Sequence, residues 1–201
     1  MTRMRLEAFS DAVIAIIITI MVLELSIPHE AEWSALRPLV PKFLTYILSF
    51  VFLGIYWSNH HHLIATCKRV HGGVLWANLH LLLWLSLTPF VTGWMGENDF
   101  AAVPTAAYGI VLLMSAIAYF ILQSVILAAH GPDSPLRAAL GRDLKGKLSP
   151  VCYVAAIPLA FVNRWIAVGL YLFVALMWLV PDRRIEVLFV AEAGAPDGDA
   201  S

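Results

Sequence analysis

Charge is what this sequence has least of. Aspartate, glutamate, lysine and arginine make up 13% of its 201 residues, and 60% of the residues are apolar. An ordinary soluble domain is about 25% charged. A chain this poor in charge has too little polar side chain to cover a wetted surface, which excludes a soluble globular protein and indicates an integral membrane protein. The net charge of −1 gives no bulk field for a polyanion, and no basic patch with interleaved aromatics occurs, so nucleic acid is excluded as a partner. Cysteine is nearly missing. Cys67 and Cys152 form no metal or redox motif and read as free thiols on the cytoplasmic side. No nucleophile elbow, Walker loop, glycine-rich nucleotide turn or zincin motif occurs, so neither an enzyme nor a cofactor is expected.

What the chain has instead is long low-charge runs. A spanning helix needs about 20 mainly apolar residues, and six candidates follow one another at 5–25, 38–65, 73–95, 104–129, 147–162 and 164–181. The last two are short and are split only by Asn163-Arg164. With Pro158 between them they read as two spans or as one kinked helix, and their joint length, too great for one crossing, favours two. The expected fold class is an all-α integral membrane protein of six transmembrane helices over 1–190, in contact with the lipid bilayer and without a soluble domain. Residues 191–201 are acidic and small, and are expected to form a disordered tail. The N-terminal run does not read as a cleavable signal, because no small-residue cleavage site follows Leu25.

With the N-terminus in the cytoplasm, the inner segments hold Arg3, Arg5, Lys68, Arg69, Arg137, Arg142, Lys145, Lys147, Arg183 and Arg184, and the outer ones Arg37, Lys42 and Arg164. Ten against three follows the positive-inside rule and places both termini in the cytoplasm. Trp33, Trp94 and Trp165 fall near the outer interface and Trp76 and Trp178 near the inner one, as an aromatic belt should.

The first segment is the most informative. Arg5 to Leu25 is a membrane-length apolar run with Ser10 and Asp11 set inside it. A carboxylate at bilayer depth costs several kcal/mol unless it is partnered, so it marks a functional layer by default. At about 100° per residue, Ile16, Ile20 and Leu23 form one stripe bordered by Thr19, Ala12 and Phe9. Asp11 lies nearly opposite and Ser10 well off the stripe. Such a stripe can face lipid or ordinary packing. If four copies of the helix surround an axis, it becomes a stack of apolar rings that can gate by dewetting, with Thr19 adding a ring of hydroxyls. The residues alone leave both readings open.

A polar layer lies at one depth. Asp11 is six residues past Arg5, about 9 Å at 1.5 Å per residue. His60, His61 and His62 stand seven to nine residues before Arg69, and Asn78 and His80 five and seven residues after Gly73. A shared network would satisfy these groups together. Ser10 and Asp11 are therefore expected to bond histidines of the second segment and Asn78 or His80 of the third. A structural clamp, a proton relay or pH sensor using imidazoles, and a metal site all remain open, although the N-H-H-H-L run lacks the spaced histidine boxes a di-iron centre needs. Glu24, Glu97 and Asp99 near the outer side would either draw cations to a pore mouth or simply mark the interface.

At these residues the chain resembles a known family. Arg5-x-x-x-Phe9-Ser10-Asp11 followed by A-V-I-A-I-I-I-T-I-M-V-L-E-L is similar to the signature of the prokaryotic, single-repeat branch of the transmembrane protein 175 family of potassium-permeable channels. The likeness is close over Arg5–Pro28 and looser at Tyr56-Trp57-x-x-His60-His61 and at Asn78…Pro89-Phe90. Ala12 stands where a Gly is expected, Ile14 where Phe is common, and Ile20-Met21 replaces a usual Leu pair. No Thr-Val-Gly-Tyr-Gly filter occurs.

The resemblance implies a homotetramer whose first helix lines a central pore in a prokaryotic plasma membrane. It implies a constriction of Ile16, Ile20 and Leu23 with Thr19 as a polar layer, potassium or other monovalent cations as the permeant species, and an interhelical network that includes Arg5, Phe9, Ser10 and Asp11. A leak-type potassium-permeable channel is the leading expectation. A proton-coupled transporter using Asp11 and the histidines, and a scaffold without transport, are its rivals.

Overall fold

The computed structural model describes residues 1–67, 69–128 and 144–179. Lys68, Arg137, Arg142, Arg183 and Arg184, most of the connection 131–147 and the acidic tail 191–201 lie outside them. The described chain is all-helical, with no strand among the described residues.

Helix α1 spans Arg3–Leu23 and is capped by Thr2, whose hydroxyl accepts the Arg5 N–H at 3.4 Å. A short 3₁₀ helix, Trp33–Leu39, leads into α2, Val40–Ala65, with Pro41 in the first turn, where a missing N–H costs nothing. Helix α3, Gly72–Ser86, starts on His71, whose Nδ1 accepts the Gly73 N–H at 3.2 Å. Helix α4, Thr88–Glu97, continues it after a break at Leu87. The break has a plain cause: Pro89 lacks an N–H and its ring crowds the carbonyl four residues back. Together α3 and α4 make one apolar stretch, Gly72–Glu97. The turn into α5, Ala102–Ala128, passes through Asp99 and Phe100 at φ 47° and 58°. Left-handed backbone is unusual for these residues. Here the Phe100 N–H bonds the Met95 carbonyl at 3.0 Å, the Phe100 carbonyl accepts from Thr105 Oγ1 at 3.0 Å, and the ring stacks 5.4 Å from Trp165.

The last two apolar runs are separate helices. Helix α6, Leu144–Val162, and helix α7, Arg164–Leu179, are joined by Asn163, whose Oδ1 accepts the Trp165 N–H at 2.9 Å. They fold back on each other: Trp178 Nε1 donates to Ser149 Oγ at 2.9 Å, and the Tyr153 and Tyr171 rings lie 6.3 Å apart. Pro150 and Pro158 sit within α6 without ending it. Among the described residues, five stretches are long and apolar enough to cross a membrane; Arg164–Leu179, at 16 residues, is a shorter sixth.

Helix α5 is central. Its N-terminal half joins a core with α2, α4, α6 and α7 around Tyr108, Tyr153 and Tyr171. Its C-terminal half joins a second core with α1, α2 and α3 around Ile14, Met21, Leu81 and Leu122. Between lipid-soluble helices the hydrophobic effect is spent, so close approach and polar contacts hold the bundle. Gly109 shows this: a side chain there would collide with the Tyr171 hydroxyl, which donates to the Thr105 carbonyl at 3.1 Å.

Candidate functional site

Helix α1 packs on α2, α3 and α4 through one face only. Leu6, Ser10, Ile14, Ile17 and Met21, spaced by three and four residues, form that buried face. On the other side Ile16 is 56% exposed, Ile20 40% and Leu23 80%, and Thr19 is exposed with them. Thr19 Oγ1 donates to the Ile16 carbonyl at 2.9 Å, which leaves its oxygen lone pairs directed away from the helix backbone. The apolar stripe is thus uncovered within the protomer, while the opposite face is fixed.

The fixing is polar at one depth. Asn78 Nδ2 on α3 donates to Ser10 Oγ at 2.9 Å, and Ser10 Oγ donates to the Leu6 carbonyl at 2.9 Å. Asn78 Oδ1 lies 2.7 Å from His60 Nε2 on α2. An amide oxygen only accepts, so His60 donates from Nε2. Its Nδ1 has no hydrogen-bond partner among the described residues. All three side chains are fully buried.

The other residues expected in this layer stand nearby but apart from that chain. Asp11 Oδ1 accepts instead from Trp57 Nε1 at 3.1 Å. His61 Nδ1 meets Glu7 Oε1 at 2.7 Å, a second tie between α1 and α2. His80 Nε2 accepts from Trp84 Nε1 of its own helix at 2.9 Å. Rotation separates what depth unites: Asp11 is turned about 100° from Ser10, and His80 about 200° from Asn78. The Arg5 side chain is exposed, and Phe9, 46% exposed, borders the open stripe. Among the described residues, no three of the types His, Cys, Asp and Glu gather as metal ligands do. Cys67 and Cys152 are both unpaired and buried.

Three further anchors were not read from the sequence. Arg3 Nη1 donates to the Ala65 carbonyl at 2.7 Å, satisfying one of the open carbonyls that end α2. Nearer the C-terminal end of α1, Ser49 Oγ lies 2.7 Å from Thr92 Oγ1 and 3.0 Å from the Tyr108 hydroxyl, and Thr92 Oγ1 contacts Met21 Sδ at 4.0 Å. This hydroxyl chain joins α5, α2 and α4 to the back of α1. Beyond the C-terminal end of α1, Lys42 Nζ donates to Ser26 Oγ and to Glu97 Oε1, each at 3.1 Å. Glu24 and Glu97 line one open groove with Ile16, Ile20 and Trp94 between α1 and α4.

Comparison with known proteins gives this arrangement a context. The family model described as endosomal/lysosomal potassium channel TMEM175 matches residues 5–89. A potassium channel of Chryseobacterium sp. is 55% identical over 186 residues, covering 92% of this chain and 97% of that protein. A potassium channel of Streptomyces collinus is 31% identical over 170 residues, covering 79% and 82%. The crystal structure of a lysosomal potassium-selective channel TMEM175 homolog from Chamaesiphon minutus superposes with a TM-score of 0.77 at 27% identity, over 89% of this chain and 96% of that one. A one-faced first helix carrying Arg5, Phe9, Ser10 and Asp11, full-length likeness to bacterial relatives and a shared helical fold all agree: the chain belongs to the TMEM175 family.

Proposed function

We propose that the protein is the subunit of a potassium-permeable, leak-type cation channel in a prokaryotic plasma membrane. Four copies place α1 around a central axis, both termini are cytoplasmic, and conduction is passive and needs no cofactor. The names of the bacterial relatives support the permeant ion. The observation that carries the reading is the division of α1 into two faces: a back held by α2, α3 and α4, and an uncovered front of Ile16, Thr19, Ile20 and Leu23.

The physics of such a front follows from its side chains. Isoleucine and leucine offer a dehydrating ion nothing in exchange for water, so a narrow ring of them resists wetting and passage. Thr19 is the one side chain of the stripe that carries oxygen. In this reading it replaces part of the hydration shell, and Ile16 and Leu23 set the barrier. Without a filter of backbone carbonyls, selectivity depends on the width of these rings and on the hydroxyl layer. Glu24 at the outer end of α1 raises the local cation concentration.

The back of α1 serves this function by being stiff. The Ser10–Asn78–His60 chain and the Asp11–Trp57 bond fix the rotation of the helix, and rotation decides which side chains reach the axis.

Flux from liposomes tests the proposal. Purified protein in vesicles loaded with potassium is expected to dissipate a potassium gradient and to follow the diffusion potential set by it. Saturable uptake driven by a proton gradient would favour the transporter instead, and no flux would favour a scaffold.

A further inference from the structure

Away from α1, a half-open cleft of about 110 Å³ lies among α2, α5, α6 and α7. Gln123 stands five residues before the end of α5 and Lys147 three residues into α6. At 1.5 Å per residue both lie within about 8 Å of their helix ends, close to one membrane interface. The walls are apolar, made by Phe52, Ile55 and Phe120, and Phe120 is 67% exposed at the lip. Tyr56 and Gln123 supply polar groups inside, and Lys147 stands on the rim.

Two polar groups inside the cleft make no hydrogen bond to another described residue. Gln123 is only 9% exposed, yet neither its amide nor the Tyr56 hydroxyl has a hydrogen-bond partner among the described residues. Ser149, on the same wall, is occupied: it accepts from Trp178 Nε1 at 2.9 Å and donates to the Lys145 carbonyl at 2.8 Å. An amide that opens onto an apolar slot takes its hydrogen-bond partner from whatever occupies that slot. The cleft therefore calls for a ligand that brings acceptor oxygens to an apolar slot.

We propose that the cleft binds one anionic phospholipid of the adjoining leaflet. An acyl chain lies against Phe52, Ile55 and Phe120. The glycerol ester oxygens accept from the Gln123 amide and the Tyr56 hydroxyl. The phosphate sits at the rim beside the Lys147 ammonium, with the Lys145 ammonium 6.0 Å over the Trp178 ring at the same end of the helix pair. Basic residues between helices at an interface recognise lipid phosphate in this way, and the order rim cation, ester-depth donors, apolar wall matches the order of groups along a phospholipid. The site uses no residue of α1, so it stands or falls separately from the channel reading.

Native mass spectrometry of the full chain after equilibration with vesicles of equal phosphatidylglycerol and phosphatidylcholine tests this. The wild type is expected to retain phosphatidylglycerol preferentially. Lys147→Ala and Gln123→Leu are each expected to lower that retention several-fold, and Ala116→Trp, which fills the cleft, to abolish it. Lys147 is exposed and belongs to neither buried core, so Lys147→Ala keeps the test decisive even where a cleft-filling variant fails to fold. Inorganic phosphate is expected not to compete. Equal retention of both lipids, undiminished retention in Lys147→Ala, or full displacement by inorganic phosphate would each overturn the proposal.

Discussion

Asn78 on α3 donates a hydrogen bond to Ser10 on α1 across 2.9 Å, and neither side chain has any exposed surface. The same amide accepts from His60 on α2 at 2.7 Å, so one residue sets the position of two helices. Asn78→Leu removes both bonds and strands a buried imidazole N–H and a hydroxyl lone pair. Each stranded group costs about 1–3 kcal/mol. A clear drop in the thermal midpoint in detergent is expected, with loss of oligomer; an unchanged midpoint would show that the chain does not hold α1.

Asp11 calls for a graded result. Its Oδ1 accepts from Trp57 Nε1, so Asp11→Asn keeps an acceptor and Asp11→Ala does not. Oligomer yield on a sizing column is expected to fall further for Asp11→Ala than for Asp11→Asn, by about 1 kcal/mol of stability. Permeation in the surviving oligomer should change little. Normal yield with altered ion preference would mean that Asp11 acts on ions and not on packing.

On the open stripe, Ile16→Ala and Leu23→Ala are each expected to raise potassium flux several-fold and to weaken discrimination against sodium, because shorter side chains widen and wet the constriction. Flux and ion preference left as in the wild type in both variants would remove these residues from the path.

Gly109 tests the core around Tyr108, Tyr153 and Tyr171. Gly109→Ala drives a methyl group into the Tyr171 hydroxyl, and overpacking of this kind costs about 1–3 kcal/mol. Adding Tyr171→Phe removes the clashing oxygen. The double variant is expected to melt above the sum of the two single losses, and strict additivity would show that the contact is relieved some other way.

Cys67 lies between α2 and α3, 5% exposed, and burial pushes its thiol above the usual range. A raised value keeps the thiol protonated at neutral pH, and only the thiolate reacts. Maleimide labelling of the folded protein is expected to be slow at pH 7, to quicken as pH rises, and to become fast on unfolding. Fast labelling at pH 7 would mean that this connection opens readily.

The helices were legible because lipid imposes a simple rule: runs of apolar residues about 20 long, broken by charge. The shared depth of Ser10, Asn78 and His60 was legible too, since rise per residue is fixed. Rotation was not. Asp11 was expected to join Ser10, but it points 100° away toward Trp57, and His80 turns back on Trp84; both outcomes depend on how neighbouring helices are phased, which no single helix encodes. The third stretch was read as one span, 73–95, because hydropathy runs through Pro89, where the helix breaks. The Ser49–Thr92–Tyr108 chain escaped notice because each hydroxyl, taken singly, is common in an apolar helix. Lys42 was counted as an outer charge, and its role as a strap to Ser26 and Glu97 depends on the start of α2, the end of α4 and the segment after α1 meeting.

The central claim is that the exposed face of α1 borders an ion path. Cysteine placed in turn at Ile16, Thr19 and Leu23, and at Ile17 on the buried face, followed by a thiol-reactive cation during potassium flux, tests it most directly. Block at the three stripe positions with no effect at Ile17 is the expected pattern. Complete labelling of the stripe, confirmed by mass, with flux undiminished would contradict the account.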